Sequence, residues 1–298
     1  MLELVRTPLA VIDAELARRS LREFVRQAWP HVEPATPFIP GWHLDAIADH
    51  LQAVTEGHIR QLLITMPPRH AKSSLVGILW PAWEWTSRPE RRHLVTSYAL
   101  SLAIRDTMRT RRLLESAWYQ THWGHKVTLA GDQNTKGRYD NTAGGYRIAG
   151  SVGSGVTGEG GDCVVVDDPI AVADSFSDTM RQTSIDWWDQ TMSTRLNDPK
   201  TGARVIVMQR THERDLAGHV LEQGGYEHLC LPAEYEPERR STTCIGFSDP
   251  RTTPGELLHP ARFGRADIDA LKTTLGSYAA ASQLQQRPAP AGGGIFRR

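Results

Sequence analysis

Short apolar runs alternate with amphipathic stretches along the first two thirds of the chain. Four apolar runs predict buried strands: residues 61–65, 93–97, 163–166 and 204–208. Four stretches with helical spacing of apolar residues predict helices: residues 9–28, 42–54, about 72–85 and 99–117. Alternation of strand and helix favours an α/β fold, with a mostly parallel sheet flanked by helices on both faces.

Other regions interrupt this alternation. An extended segment after the first helix is predicted by four prolines: Pro30, Pro34, Pro37 and Pro40. The glycine-rich residues 126–161 predict hairpins and a mobile loop. Beyond about residue 230 the pattern is irregular, and residues 288–294 have the composition of a linker.

The composition is that of a globular protein and narrows the function only slightly. Of 298 residues, 40% are hydrophobic and 23% are charged, and the formal net charge is zero. Any contact with nucleic acid therefore requires a local basic patch. Three dispersed cysteines predict neither a disulfide framework nor a zinc site. The longest apolar stretch, residues 75–83, is much shorter than the roughly 20 residues that a membrane helix needs.

Residues 66–73 combine a partial phosphate-loop motif with the local structure that such a loop requires. Only Lys72 and Ser73 match the template G-x-x-x-x-G-K-[ST], because Met66 and Ala71 occupy its two glycine positions. The stretch follows a predicted strand and opens a predicted helix, which would direct backbone N–H groups towards a phosphate. Lys72 would then contact the β and γ phosphates, and the Ser73 hydroxyl would ligate Mg²⁺. The alternative is an ordinary helix start with a solvated lysine.

Two carboxylates end the third predicted strand. Asp167 and Asp168 directly follow the apolar run, and α/β sheets bind ligands at the carboxyl ends of their strands. In a phosphate-binding site Asp167 would hold Mg²⁺ and Asp168 would orient the attacking water. Adjacent carboxylates repel each other, so a nearby cation is the natural compensation. The alternative is a polar turn closed by Pro169.

Together these motifs resemble those of the large terminase subunits of tailed bacteriophages. That family often has a loop of the form P-P-R-H-G-K-S, and the corresponding residues here are Pro67, Pro68, Arg69, His70, Ala71, Lys72 and Ser73. Residues 38–43 resemble its adenine-packing segment, residues 150–162 its glycine-rich approach to the acidic strand, and residues 208–218 its coupling segment. The resemblance covers roughly residues 36–298.

The sequence departs from the family pattern at two positions. Ala71 stands where a glycine is usual, and Asp168 stands where many relatives carry glutamate. An alanine requires a negative φ at this position, or it costs about 1 kcal/mol if the loop needs a left-handed residue. The shorter carboxylate of Asp168 has less reach towards a water molecule.

The resemblance implies a P-loop NTPase fold of the additional-strand type shared with helicases and recombinases, with ATP and Mg²⁺ as cofactors. Nucleotide contacts are implied for the following residues: Trp42, His43, Pro67, Pro68, Arg69, His70, Ala71, Lys72, Ser73, Ser74 and Gln209. Lys72 and Asp168 are implied to be catalytic, and Ser73 and Asp167 to hold the metal. Trp42 has the alternative interpretation of a core residue.

Hydrolysis in ring ATPases usually needs an arginine near the γ-phosphate, and several positions are candidates. Arg69 lies in the loop and would act in cis. Relatives often place another arginine where this chain has Glu159, so Arg147, or else Arg138, is predicted to act on a neighbouring subunit. The predicted helix 99–117 also carries arginines on one face, which is either solvated or in contact with DNA phosphates or a neighbouring subunit: Arg105, Arg109 and Arg112.

The predicted organisation is an ATPase domain over residues 1–298, with a small lid formed by about residues 1–60 and 220–287. Residues 288–298 would begin a linker to a nuclease domain that is absent, so no nuclease activity is expected. The implied partners are double-stranded viral DNA, the portal protein, the small terminase subunit and other copies of the chain in a ring. The implied location is the host cytoplasm, transiently on the procapsid, without a membrane.

Two other functions are open to the same residues. A helicase-like or repair ATPase would share the chemistry, but it is expected to carry a second ATPase domain. A non-enzymatic assembly protein with a decayed nucleotide site would account for the substituted glycines. Intact Lys72, Ser73, Asp167 and Asp168 argue against that interpretation.

Overall fold

A computed structural model of the protein describes residues 9–154, Val156 and residues 158–288. Its α-helices in chain order are α1 (Leu9–Arg19), α2 (Leu21–Val32), α3 (Trp42–Glu56), α4 (Trp80–Ser87), α5 (Leu100–Glu115), α6 (Ala117–Trp123), α7 (Asp178–Gln190), α8 (Leu216–Gln223) and α9 (Arg265–Ala279). Its strands are β1 (Gln61–Thr65), β2 (Arg92–Ser97), β3 (Leu129–Asn134), β4 (Arg138–Asn141), β5 (Tyr146–Ser151), β6 (Cys163–Asp167), β7 (Ala203–Met208) and β8 (Glu227–Cys230).

The strands described form one 8-stranded sheet in the order β3-β4-β5-β2-β6-β7-β1-β8. From β5 to β8 all neighbouring strands are parallel. β3, β4 and β5 form an antiparallel meander, which confirms the hairpins predicted in the glycine-rich region. β7 lies between β1, which precedes the phosphate loop, and β6, which carries the acidic pair. This inserted strand confirms the predicted additional-strand fold.

Both faces of the sheet are covered, because successive strand residues point to opposite sides. On β1, Leu62 and Ile64 belong to an apolar cluster that also contains residues of α2, α3 and α4. Leu63 belongs to a second cluster, with residues of α7 and α8. A parallel sheet covered in this way leaves no face for polar residues, which explains the continuous apolar runs in the sequence.

The first predicted helix is two helices in the structure. Ser20 separates α1 from α2, and its hydroxyl accepts a hydrogen bond from the Glu23 N–H as an N-cap. Pro30 does not end the helix as predicted, because α2 continues to Val32 and buries Trp29. A proline in the last turn removes one helical hydrogen bond, and packing of the apolar face of α2 outweighs that loss.

The helix after the phosphate loop is only partly α-helical. Ser74–Leu79 forms a π-helical segment, in which the Trp80 N–H donates to the Leu75 carbonyl, and α4 follows directly. π-Helical turns occur mostly as local distortions of α-helices at functional sites. The predicted helix over residues 72–85 is therefore confirmed in position, with a local widening next to the loop.

The C-terminal third is more regular than predicted. β8 extends the sheet beside β1, and α9 occupies part of the region predicted to be irregular. Ile268 of α9 joins a small third apolar cluster with Ala233, Ala280 and Leu284. Residues 289–298 lie outside the described part of the chain, so the linker predicted there stays a prediction, as do the predicted bounds of a lid.

We expect Leu51→Ala on α3 to lower the free energy of unfolding by about 2–5 kcal/mol. Leu51 is 0% exposed, in the cluster that contains the central strands, so truncation leaves a cavity. Urea denaturation measures the change. The matched control is Leu271→Ala on α9, which should shift stability by less than about 1 kcal/mol, because Leu271 is 38% exposed. Similar losses in both variants would contradict the assignment of α3 to the central core.

Candidate nucleotide-binding site

The phosphate loop connects β1 to the π-helical segment, and two of its residues have left-handed backbone conformations without being glycine. Arg69 has a φ of 66° and Ala71 a φ of 61°. A residue with a Cβ is about 1–2 kcal/mol less stable than glycine in this region. Ala71 therefore adopts the strained left-handed conformation, and not a negative φ. Its carbonyl accepts a hydrogen bond from the Leu75 N–H at 3.1 Å, which begins the following helix.

Asp168 connects this loop to the acidic strand and to β7. Its Oδ2 lies 3.2 Å from Nζ of Lys72, and its Oδ1 accepts a hydrogen bond of 3.1 Å from the Gln209 N–H. Lys72 is buried, and an ion pair shielded from water is stronger than an exposed one. The structure thus brings together three of the predicted site residues, which come from the carboxyl ends of three strands.

Asp167, the last residue of β6, is buried next to this ion pair. Burial raises its pKa to about 7, the Asp168 carboxylate adds to the rise, and Lys72 and Ser73 oppose it. Its Oδ1 is buried without a hydrogen-bond partner among the described residues. Such an oxygen fits a hard cation.

Mg²⁺ in nucleotide sites usually takes one or two protein oxygens and completes its shell with water and phosphate oxygens. Asp167 and Ser73 would supply such oxygens, and their role as metal ligands stays a prediction. Over residues 9–154 and 158–288, no group of three or more His, Cys, Asp or Glu side chains could hold a metal ion.

Gln209 follows β7 at the same edge of the sheet, where its Oε1 is buried without a described partner. The next residue, Arg210, is fixed by two sets of hydrogen bonds. The Arg210 N–H donates to Oε1 of Gln286 at 2.9 Å, and the Arg210 guanidinium donates to Asp215 at 2.9 Å. Asp215 in turn caps α8. The predicted coupling segment thus links the site to α8 and to the C-terminal segment.

A cleft of about 610 Å³ lies against the phosphate loop, within the size range of small-molecule sites. Predicted residues that line it are Pro68, Arg69, Ala71, Lys72, Ser73, Ser74, Asp168 and Gln209. Residues for which the sequence predicted no nucleotide contact also line it: Trp29, Val32, Glu33, Thr36, Arg105, Arg109 and Arg262. Helical spacing had marked Arg105 and Arg109 as one face, but nothing in the sequence placed α2 or Arg262 at the loop.

The residues predicted to contact adenine lie outside this cleft. The Trp42 ring stacks on Phe247, with centroids 6.3 Å apart and planes 20° apart, and the Arg251 guanidinium lies 5.2 Å from its centroid. Trp42 also packs against the main apolar cluster, which agrees with its alternative interpretation as a core residue. His43 is 0% exposed, behind the loop. Neither placement supports a contact with adenine.

His43 belongs to a buried cluster of imidazoles with His70 and His259. Its ring centroid lies 4.5 Å from that of His259 and 5.7 Å from that of His70. His70 donates from Nδ1 to the Pro68 carbonyl at 2.8 Å, so it braces the loop from behind instead of facing the cleft. Burial lowers the pKa of His43 to about 2 and that of His70 to about 4. Both are therefore neutral near pH 7.

The buried position of Arg147 contradicts the prediction that this residue reaches a neighbouring subunit. It lies on β5 with 1% exposure, and its Nε donates to the Thr107 hydroxyl at 3.1 Å. The side chain faces the interior of its own chain, and Gly144 and Gly145 near it lie in the short turn between β4 and β5. Arg138, the second candidate, is engaged by Asp140 at 3.1 Å and Glu159 at 3.3 Å.

The sequence matches no family model and no curated protein. In structure, the chain is similar to a mutant of the large terminase ATPase domain of Thermus phage P74-26. The TM-score is 0.54 at 10% identity, over 80% of this chain and 93% of that one. The protein has the fold of a phage large terminase ATPase domain. At this level of identity the similarity concerns the fold alone.

Longer terminases are similar over part of their length. The large terminase of a thermophilic bacteriophage, in complex with ADP, gives a TM-score of 0.47 at 6% identity, over 79% of this chain and 52% of that chain. That of bacteriophage HK97 gives 0.47 at 10% identity, over 74% and 44%. The chain thus spans about half the length of these two proteins. Along the described residues, no helix has the length and apolar character needed to cross a membrane.

We expect Ala71→Gly to raise the free energy of unfolding by up to about 1 kcal/mol, because glycine has no Cβ penalty at a φ of 61°. Greater freedom of glycine in the unfolded chain offsets part of the gain. The control is Ala270→Gly at an exposed position in α9, which should lose about 1 kcal/mol. Urea denaturation of both variants gives the signs; a loss in both would contradict the left-handed conformation of Ala71.

We expect His43→Leu to reduce the loss of stability on acidification. The pKa of His43 is about 2 in the folded chain, against about 6.5 when unfolded. Below pH 6.5 the unfolded chain therefore binds a proton at His43 that the folded chain does not bind. The free energy of unfolding has its full value above that pH and decreases as the pH drops towards 2.

When the pH falls from 7 to 5, the free energy of unfolding of the parent should decrease by about 2 kcal/mol more than that of His43→Leu. His58→Leu is the control, because the His58 side chain is 68% exposed. An equal pH dependence in the parent and in both variants would show that His43 is not responsible.

Proposed function

We propose that this chain is the ATP-hydrolysing motor domain of a phage large terminase, which drives double-stranded DNA into the procapsid. The observation that carries the proposal is the convergence of Lys72, Asp167, Asp168 and Gln209 at the carboxyl ends of β1, β6 and β7. That edge is where α/β sheets bind ligands. The terminase-like fold supports the same assignment.

The proposed chemistry is hydrolysis of ATP to ADP and phosphate, and the chain contributes positioning and charge. Lys72 stabilises the β and γ phosphates, while Ser73 and Asp167 would hold Mg²⁺. When bound, Mg²⁺ would neutralise the phosphate charge that develops during hydrolysis. Asp168 polarises the attacking water, and Gln209, which lines the same cleft, helps to orient it.

The Lys72–Asp168 ion pair suggests how the site changes when nucleotide binds. Lys72 cannot neutralise the γ-phosphate fully while its ammonium group faces the Asp168 carboxylate at 3.2 Å. We infer that ATP replaces Asp168 as the partner of Lys72. The released carboxylate then becomes available to a water molecule, so nucleotide binding itself prepares the base.

Motor activity requires partners that turn hydrolysis into movement. We propose the portal protein, the small terminase subunit and a ring of identical chains as these partners, acting on viral DNA in the host cytoplasm. Release of phosphate measured with and without portal rings and linear double-stranded DNA tests this step. Hydrolysis that neither component stimulates would leave an ATPase without evidence of a packaging role and would argue against the proposal.

Lys72→Ala should abolish hydrolysis and weaken ATP binding, because it removes the charge on the phosphates. Asp168→Asn should abolish hydrolysis but leave ATP binding equal or tighter, since Asp167 remains and Lys72 loses its competing partner. Phosphate release and calorimetric titration of ATP separate the two effects. The controls are Lys200→Ala and Asp132→Asn, both exposed. Equal loss of binding in Lys72→Ala and Asp168→Asn would contradict these roles.

A further inference from the structure

Arg147 is buried and Arg138 is paired with Asp140 and Glu159, so the cation that stabilises the γ-phosphate must come from Arg69 or from another arginine of the cleft. We propose that Arg105 of α5 is a catalytic residue that supplies this charge in cis, from the same chain that binds the nucleotide. The proposal rests on the ATPase function proposed above and identifies a further residue of that site.

Arg105 lines three adjoining clefts, two of which contain residues of the proposed catalytic site. The first is the cleft against the phosphate loop, and the second, of about 310 Å³, is lined by Asp167 and Asp168 at the acidic strand end and by Tyr98. Five residues line both clefts: Arg69, Ser73, Arg105, Asp168 and Gln209. Three of them, Ser73, Asp168 and Gln209, are proposed above to hold the metal and the water. Arg105 lines the same two clefts as these groups, which is the arrangement that contact with the γ-phosphate requires.

The sheet explains why α5 reaches this position. β2 pairs with β6 in a register that places Ser97, the end of β2, opposite Asp167. Tyr98, the residue after β2, also contacts the site, because its N–H donates to the Asp168 carbonyl at 3.0 Å. α5 begins at Leu100, so its second turn, which contains Arg105, stays close to the same strand ends.

The guanidinium of Arg105 is held in place and remains partly free. Its Nε and Nη2 donate to the two carboxylate oxygens of Asp106 at 2.8 and 3.0 Å. Asp106 is 5% exposed, whereas the Arg105 side chain is 54% exposed. Nη1 makes no hydrogen bond to another described residue and can donate to a phosphate oxygen. A guanidinium oriented before the reaction loses little entropy on binding, which favours transition-state stabilisation.

The other arginines of the cleft fit this role less well. Arg109 is paired with Glu33 and also donates to the Val32 carbonyl, and it lines only the first cleft of the two. Arg262 likewise lies outside the second cleft. Arg69 lines both clefts from the exposed loop, without a carboxylate partner among the described residues. Because no described residue fixes its guanidinium, it is better suited to bind phosphates than to be oriented for the transition state.

The first test compares Arg105→Ala with Arg112→Ala. Arg112 lies two turns further along the same face of α5, is exposed, and lines an adjoining groove outside both clefts. Arg105→Ala should lower kcat about 10³-fold or more, with the Kd for ATP within about threefold of the parent. Arg112→Ala should change kcat by less than about twofold. Arg105→Gln, whose amide still donates to Asp106, controls for misfolding and should lose the same activity.

A second readout does not depend on turnover. The parent should bind ADP with aluminium fluoride, a mimic of the transferring phosphate, more tightly than ADP alone. Both Arg105 variants should lose that difference while keeping their affinity for ADP. If they match the parent in kcat and in binding of the mimic, Arg105 is not catalytic, although the parent remains an ATPase. A parent that binds no nucleotide would instead overturn the proposed function and this inference together.

Mixed subunits test the direction of action. A mixture of Arg105→Ala and Lys72→Ala chains should remain inactive, because in cis neither chain has both groups. Activity that reappears in the mixture, in proportion to the statistical number of mixed neighbours, would show that Arg105 serves the adjacent chain and would overturn the cis assignment.

Discussion

The carboxyl ends of four parallel strands meet at Asp168. Its carboxylate contacts Lys72 beyond β1 and the Gln209 N–H beyond β7, and its carbonyl accepts the Tyr98 N–H beyond β2. Asp168 itself follows β6 with a φ of 44°. Because neighbouring parallel strands end at the same edge, the side chain and the backbone of one residue in an uncommon conformation connect them all. The geometry of the cleft depends on these contacts of Asp168.

Backbone strain is concentrated around the same residue. Arg69, Ala71 and Asp168 are non-glycine residues with positive φ, and each is less stable there than in its preferred region. Conformations of this kind persist only where the surroundings over-determine them, and they gather at functional sites. Here the buried strands on one side and the histidine cluster on the other supply that constraint. The loop is thus shaped before a nucleotide arrives.

The C-terminal segment meets the site at two separate points. His259 packs against His43 and close to the loop residue His70, and Gln286 accepts a hydrogen bond from Arg210 directly after Gln209. A displacement of the phosphate loop or of the end of β7 would therefore also displace His259 or Gln286, which are distant from the loop in the sequence. Packed side chains and hydrogen bonds of this kind are the physical means by which one site influences another.

The apolar runs by themselves determined the central strands, because a parallel strand buried on both faces must be apolar at every position. The phosphate loop and acidic pair were also predictable, since their chemistry needs adjacent residues at strand ends. Only the tertiary structure decided which distant elements complete the cleft. Glycines around Arg147 indicated a flexible loop, but packing of α5 on β5 turned that side chain inwards. Trp42 joined the core and α2 came to line the cleft for the same reason: helix packing partners depend on three-dimensional contacts, which local spacing does not specify.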